Sequence, residues 1–139
     1  MTFAPGAPCT STELTSLVEV SAFTGLLWMP YVLNRMMVRG IPATVGYPSD
    51  PEPLAHWARR LRAAHANAVE NLVVFAPLIL AAHALGITTS LTAAAGPLYL
   101  WSRVAHAVTY TFRVPWLRTL AFMGGFAAQM MVAWELLSA

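Results

Sequence analysis

Arg103, His106 and Tyr110 stand three and four residues apart within the otherwise apolar run 91–112, so a helix carries them as one polar stripe. A guanidinium, an imidazole and a phenol on one stripe can bind an anion, move a proton or steady a nucleophile. Their depth is what makes them informative. An arginine inside a bilayer costs about 2.5 to 3.5 kcal/mol on insertion scales unless it faces a protein interior or a wet cavity and finds a partner. Two further polar sets face the same leaflet: Asn67, Glu70 and Asn71 at the start of the preceding apolar run, and Arg118 with Thr119 at the head of the last one.

Composition defines the solvent in which these groups must be held. Of 139 residues, 58% are hydrophobic and 10% charged, against about 25% charged in an average soluble domain. Four apolar stretches, near 14–34, 68–86, 91–112 and 116–137, can each cross about 30 Å of hydrocarbon as a helix. The expected fold is an all-α, four-helix transmembrane bundle, one domain over residues 1–139, with helices near 12–38, 54–86, 90–112 and 116–137. The first stretch lacks a basic leader and a small-residue cleavage site, so it reads as the first helix of the mature chain. Ser11 or Thr12 can cap it. Glu19 lies about a turn and a half inside and reads as an interfacial group or a contact to a neighbouring chain.

Charge placement sets the expected orientation. All eight basic residues are arginines; Arg35, Arg39, Arg59, Arg60 and Arg62 surround the first connection, and Arg113 and Arg118 the third. The positive-inside rule places both connections in the cytoplasm and both termini on the other side. Pro42, Gly46, Pro48, Pro51 and Pro53 predict a loop over residues 40–53. Gly86 with Thr88, Thr89 and Ser90 predicts a tight turn that makes the second and third helices antiparallel neighbours. Ala121, Gly124, Gly125 and Ala128 form a small-residue face suited to close helix contact.

Several chemistries are excluded or disfavoured. Cys9 is the single cysteine, which rules out an internal disulfide, an iron–sulfur site and a cysteine zinc site. No zinc-type spacing of histidines exists, so no metal site is expected. A haem between His65 and His106 is conceivable in a four-helix bundle, but His65 belongs to the basic start of the second helix and the two differ in depth. A net charge of +2 gives nucleic acid no basic surface.

Within the bundle, Arg103 falls about 13 Å above the inner end of its helix by the helical rise. The antiparallel turn brings Glu70 to a similar level. The two are therefore expected to pair, since each alone is an uncompensated intramembrane charge. Arginine also suits planar anions, and Arg35, Arg60, Arg62, Arg103, Arg113 and Arg118 are expected to line an anion-binding cleft at the inner face.

The pattern Asn67-x-x-Glu70, then Arg103-x-x-His106-x-x-x-Tyr110, then Arg118-Thr119 resembles the MAPEG family, membrane-associated proteins in eicosanoid and glutathione metabolism. The likeness covers nearly the whole chain and is closest to the short bacterial members, through stretches such as RAAHANAVENLVVFAPLILAAHALG and LRTLAFMGGFAAQ. It implies a homotrimer in the bacterial inner membrane that holds glutathione between adjacent subunits. Carried over by position, Arg35, Asn67, Glu70, Arg103, His106 and Tyr110 would bind glutathione. Arg118 would stabilise its thiolate, and Thr119 would donate a hydrogen bond to the sulfur. The chain departs from the eukaryotic pattern at Ala63 and Ala66, where arginines stand in those relatives, and at Arg59, where an acidic residue is expected.

Two functions follow from these readings, beside a lesser alternative of lipid binding or transport. One is a glutathione-dependent transferase or peroxidase acting on lipophilic electrophiles that enter from the lipid. The other is a non-catalytic scaffold of the same fold, or an accessory subunit of a larger membrane complex, that keeps the polar cluster for packing.

Overall fold

A computed structural model describes residues 11–49 and 53–139; Cys9 and Pro51 lie outside the described residues. Its elements are helices: α1 (Thr12–Leu26), α2 (Trp28–Val45), α3 (His56–Ala84), α4 (Ser90–Thr111) and α5 (Pro115–Ser138). Helices α1 and α2 follow one another through Leu27 and make a single path, so the chain crosses the bundle four times. This is an all-α four-helix bundle.

Three passes, Thr12–Val45, His56–Ala84 and Pro115–Ser138, are long and apolar enough to cross a membrane. At 22 residues α4 is long enough too, about 33 Å, but it carries the polar stripe and is shielded by its neighbours. It packs most extensively on α5, then on α1 and α3. An inner helix can afford polar groups that a lipid-facing one cannot.

Local chemistry accounts for the helix ends. Ser11 is the N-cap of α1, its side chain accepting from the Leu14 amide at 3.3 Å. The tight turn before α4 closes with a reciprocal capping box: Thr89 accepts from the Thr92 amide at 3.2 Å and Thr92 from the Thr89 amide at 3.0 Å. Thr92 also donates to the buried carboxylate of Glu13 at 2.7 Å, tying the start of α1 to the start of α4. Glu19 is exposed on α1.

The expected loop at residues 40–53 is shorter than its prolines suggest. Gly40 leaves helical geometry at φ 74° and ψ 165°, and α2 then resumes to Val45. Pro42 is compatible because it falls in the first turn of the resumed helix, where an amide hydrogen has no intrahelical acceptor. Asn34, buried in α2, accepts from the Ala55 amide at 3.1 Å and so fastens the start of α3 beneath that break.

Candidate functional site

Arg103 is the largest fully buried side chain among the described residues, 1% exposed. Its Nη2 donates to the Phe122 carbonyl of α5 at 3.1 Å, its Nη1 reaches Asn67 Oδ1 at 3.5 Å, and its Nε is enclosed without a hydrogen-bond partner. The guanidinium carbon lies 5.3 Å from the Tyr99 ring centre and 5.5 Å from that of Phe122, within cation–π range. Gly125 makes this possible: a Cβ there would overlap the guanidinium itself. The small-residue face of α5 makes the close helix contact expected of it, and the helix it meets is α4: Gly124 faces Ser102 and Gly125 makes room for the Arg103 guanidinium.

The expected Glu70–Arg103 pair does not form. Glu70 is exposed on α3, and Arg103 takes neutral oxygens and aromatic faces instead. Helical rise equalises the depth of the two residues but not their direction. The face of α3 that meets the bundle carries Leu61, Ala64, Ala68 and Phe75, and Asn67 lies closer to that face than Glu70.

Below Arg103 the stripe continues. His106 is buried with its ring edge-on to Tyr110 at 5.5 Å and 6.2 Å from Phe122. Tyr110 in turn carries the Arg118 guanidinium, 4.9 Å from its ring centre. Tyr110 and Arg118 line a hollow of about 350 Å³ with Arg60, Thr109, Arg113 and Pro115. Arg60 is fixed there by donating from Nε to the Thr111 carbonyl at 2.7 Å, a cation at a helix C-terminus where the macrodipole favours it. Arg113 closes α4 in left-handed geometry, φ 62°. The Val114 amide donates to Thr109 and the Arg113 amide to Tyr110, a Schellman turn whose special position normally holds glycine.

Two more hollows adjoin this one. A neighbour of about 330 Å³ shares Arg60 and Tyr110 and adds His56, Arg59 and Ala63. Beyond it a cleft of about 570 Å³ is lined by Arg35, Arg39, Arg59 and Arg62 with Leu54, Ala63 and Ala66. Of the arginines expected together at the inner face, Arg35, Arg60, Arg62, Arg113 and Arg118 are spread over three hollows around the start of α3. Arg103 is not among their lining residues; it sits behind them, inside the protein.

Of the residues singled out in the sequence, Asn67 meets Arg103, His106 meets Tyr110, and Tyr110 meets Arg118. Three stand apart from that cluster. Thr119 is exposed and donates to the Pro115 carbonyl at 3.1 Å, Glu70 is exposed, and Arg35 lines the far cleft. Three features are not legible in the sequence: the bond between the Tyr31 hydroxyl and His65 Nδ1 at 2.9 Å, the left-handed geometry of Arg113 and the burial of Glu13. A carboxylate two residues after the N-cap of an apolar helix is the one sequence sign of the last.

A helical bundle with an intramembrane asparagine–arginine contact and a histidine–tyrosine–arginine file on its inner helices is the architecture of a small integral membrane protein. The chain matches the MAPEG family over residues 19–138 and belongs to that family. No curated protein and no solved structure matches it.

Proposed function

We propose that the chain is an integral membrane, glutathione-dependent transferase or peroxidase whose substrates are lipophilic electrophiles drawn from the bilayer. The observation that supports this reading is Arg118, held over Tyr110 in a hollow whose other charged lining groups among the described residues are Arg60 and Arg113. Such a site suits an anionic peptide thiol. A free thiol ionises near pH 8.5, and an adjacent guanidinium lowers that value, enlarging the nucleophilic fraction. The sulfur lone pair then forms the new bond to the electrophilic carbon as the leaving group departs with its electrons, and the thiol proton passes to water at the mouth of the hollow.

Each residue has a part in this reading. Tyr110 fixes Arg118 through its ring face, Arg60 and Arg113 complement the peptide carboxylates, and His106 backs Tyr110. Asn67 and Arg103 hold α3, α4 and α5 in register behind the site. Thr119 serves the sulfur only if its hydroxyl turns from Pro115. In the homotrimer that the resemblance implies, exposed Glu70 and the distant Arg35 face glutathione across a subunit boundary. Purified oligomer should conjugate 1-chloro-2,4-dinitrobenzene in a glutathione-dependent reaction that Arg118→Ala abolishes. Absence of turnover with several electrophiles and hydroperoxides, together with no calorimetric heat from glutathione, refutes the proposal.

A second reading, the non-catalytic scaffold or accessory subunit, draws support from two observations. Ala63 lines the middle hollow at a position where the eukaryotic pattern has an arginine, and Arg103 makes its contacts inside the protein. Under that reading Arg118→Ala changes nothing measurable, whereas disturbing Arg103 breaks assembly.

A further inference from the structure

Helices α3 and α5 run in the same direction, because each is joined to α4 by a short turn, and they pack against one another. Their facing side chains repeat a single offset. Gln129 of α5, 4% exposed, donates from Nε2 to the Asn71 carbonyl of α3 at 3.0 Å. One turn nearer the arginine-rich end, the Arg103 guanidinium lies between Asn67 and Gly125, each four residues before that pair. Eleven residues before the pair stand Arg60 and Arg118, which together line the hollow beside Tyr110. Eleven residues are three helical turns to within about 20°, so one edge of each helix carries both the glutamine bond and the arginine. The level of Arg60 against Arg118 is therefore the level of Asn71 against Gln129.

The glutamine bond is the contact able to set that level. In lipid no hydrophobic force keeps two parallel helices from sliding past each other. Arg103 is a long arm whose contact with Asn67 stretches to 3.5 Å, and it moves with α4. Gln129 instead holds a backbone carbonyl, which moves only with its helix. Within α3 that carbonyl also accepts from the amide four residues on, so the glutamine rescues no orphaned group, and a buried side-chain amide is costly in apolar surroundings. We infer that Gln129 is a positioning residue: it keys α3 to α5 in the axial register that sets Arg60 and Arg118 against one anion. Arg60 is tied on its other side to the Thr111 carbonyl, and Arg118 to the Tyr110 ring. A slip of one residue, about 1.5 Å, changes the gap between the two guanidinium groups. The consequence for a bound thiolate rests on the proposed function; the register itself does not.

The test uses the full-length oligomer with Cys9→Ser, spin-labelled through Val69→Cys and Met123→Cys, exposed positions on α3 and α5, and diluted with unlabelled chains. Electron paramagnetic resonance should give one narrow distance. Gln129→Met, of similar size but without a donor, should broaden that distance or shift it by about 1.5 Å. Gln129→Asn, whose amide falls one methylene short of the carbonyl, should do the same and serves if the methionine variant does not assemble. With glutathione bound, thiolate absorbance at pH 7 should fall about tenfold in either variant and recover as the pH is raised, because a displaced guanidinium lets the thiol pKa rise. A loss caused by misfolding would not return with alkali. An unchanged distance in both variants overturns the register, and a changed distance with an unmoved titration overturns the positioning role. Failure of the parent protein to bind glutathione refutes the proposed function, and the distance measurement alone then decides whether Gln129 sets the register.

Discussion

The two ends of the bundle are packed from different materials. At the end remote from the arginines, Leu17, Val20, Phe75, Ile79, Tyr99 and Val132 form an apolar cluster, with Phe75 stacked on Tyr99 at 3.7 Å and 9°. At the arginine-rich end the buried cluster is Leu27, Leu61, Ala64, Ala68 and Ala107, mostly small side chains, with Phe23, Tyr31 and Tyr110 half-buried against it and hollows beside them. Between bilayer and protein there is no hydrophobic driving force, so cohesion comes from close contact and hydrogen bonds. The first end has the close contact, together with the Thr92–Glu13 hydrogen bond. The second has traded contact for charged space, and Arg103 marks the boundary.

Substitutions at the two ends should therefore act on different quantities. Phe75→Ala empties the centre of the tight cluster and should cost about 3 to 5 kcal/mol, read from denaturant unfolding in bicelles by circular dichroism. A loss under about 1 kcal/mol would show that the ring stack is not what holds that end. Gly125→Ala drives a methyl into the Arg103 guanidinium and should cost about 1 to 3 kcal/mol. Combining it with Arg103→Met should recover most of the loss, and simple additivity of the two would refute the contact. Thr92→Val leaves the Glu13 carboxylate buried without its donor, at a cost of about 1 to 3 kcal/mol, and thermal melts should show it.

At the charged end the direction changes. Arg113→Gly relieves a left-handed non-glycine residue and should stabilise by about 1 kcal/mol while weakening glutathione binding; destabilisation would mean that the guanidinium carries structural weight. Arg118→Ala should move stability by no more than about 0.5 kcal/mol yet remove conjugation activity. A large stability loss there would erase the distinction between the two ends.

Much of this division was legible in the sequence, and the parts that were not share a physical cause. Apolar run length revealed the passes, because burial in lipid demands it, and the GG pair of α5 announced a close approach. Depth along a helix follows from its rise, which is why Arg103 was placed near the level of Asn67 and Glu70. Direction around the axis depends on neighbours, and that is where the pairing with Glu70 went astray. The resumed helix after Gly40 was obscured because proline reads as a breaker wherever it falls, although its effect depends on the turn it occupies. Tyr110 and Arg118 are eight residues apart across a helix end, and only the family likeness suggested their association. Nothing local joins Glu13 to Thr92, which meet through the packing of α1 on α4.

The missing side chain at Gly125 binds two distant positions into a single unit of inheritance. A descendant that acquires any other residue there must displace or shorten the side chain at position 103, and one that loses the arginine is left with an empty notch beside α4. Glycine at the one site and arginine at the other should thus be gained and lost together among related chains, so that either serves as a marker for the other.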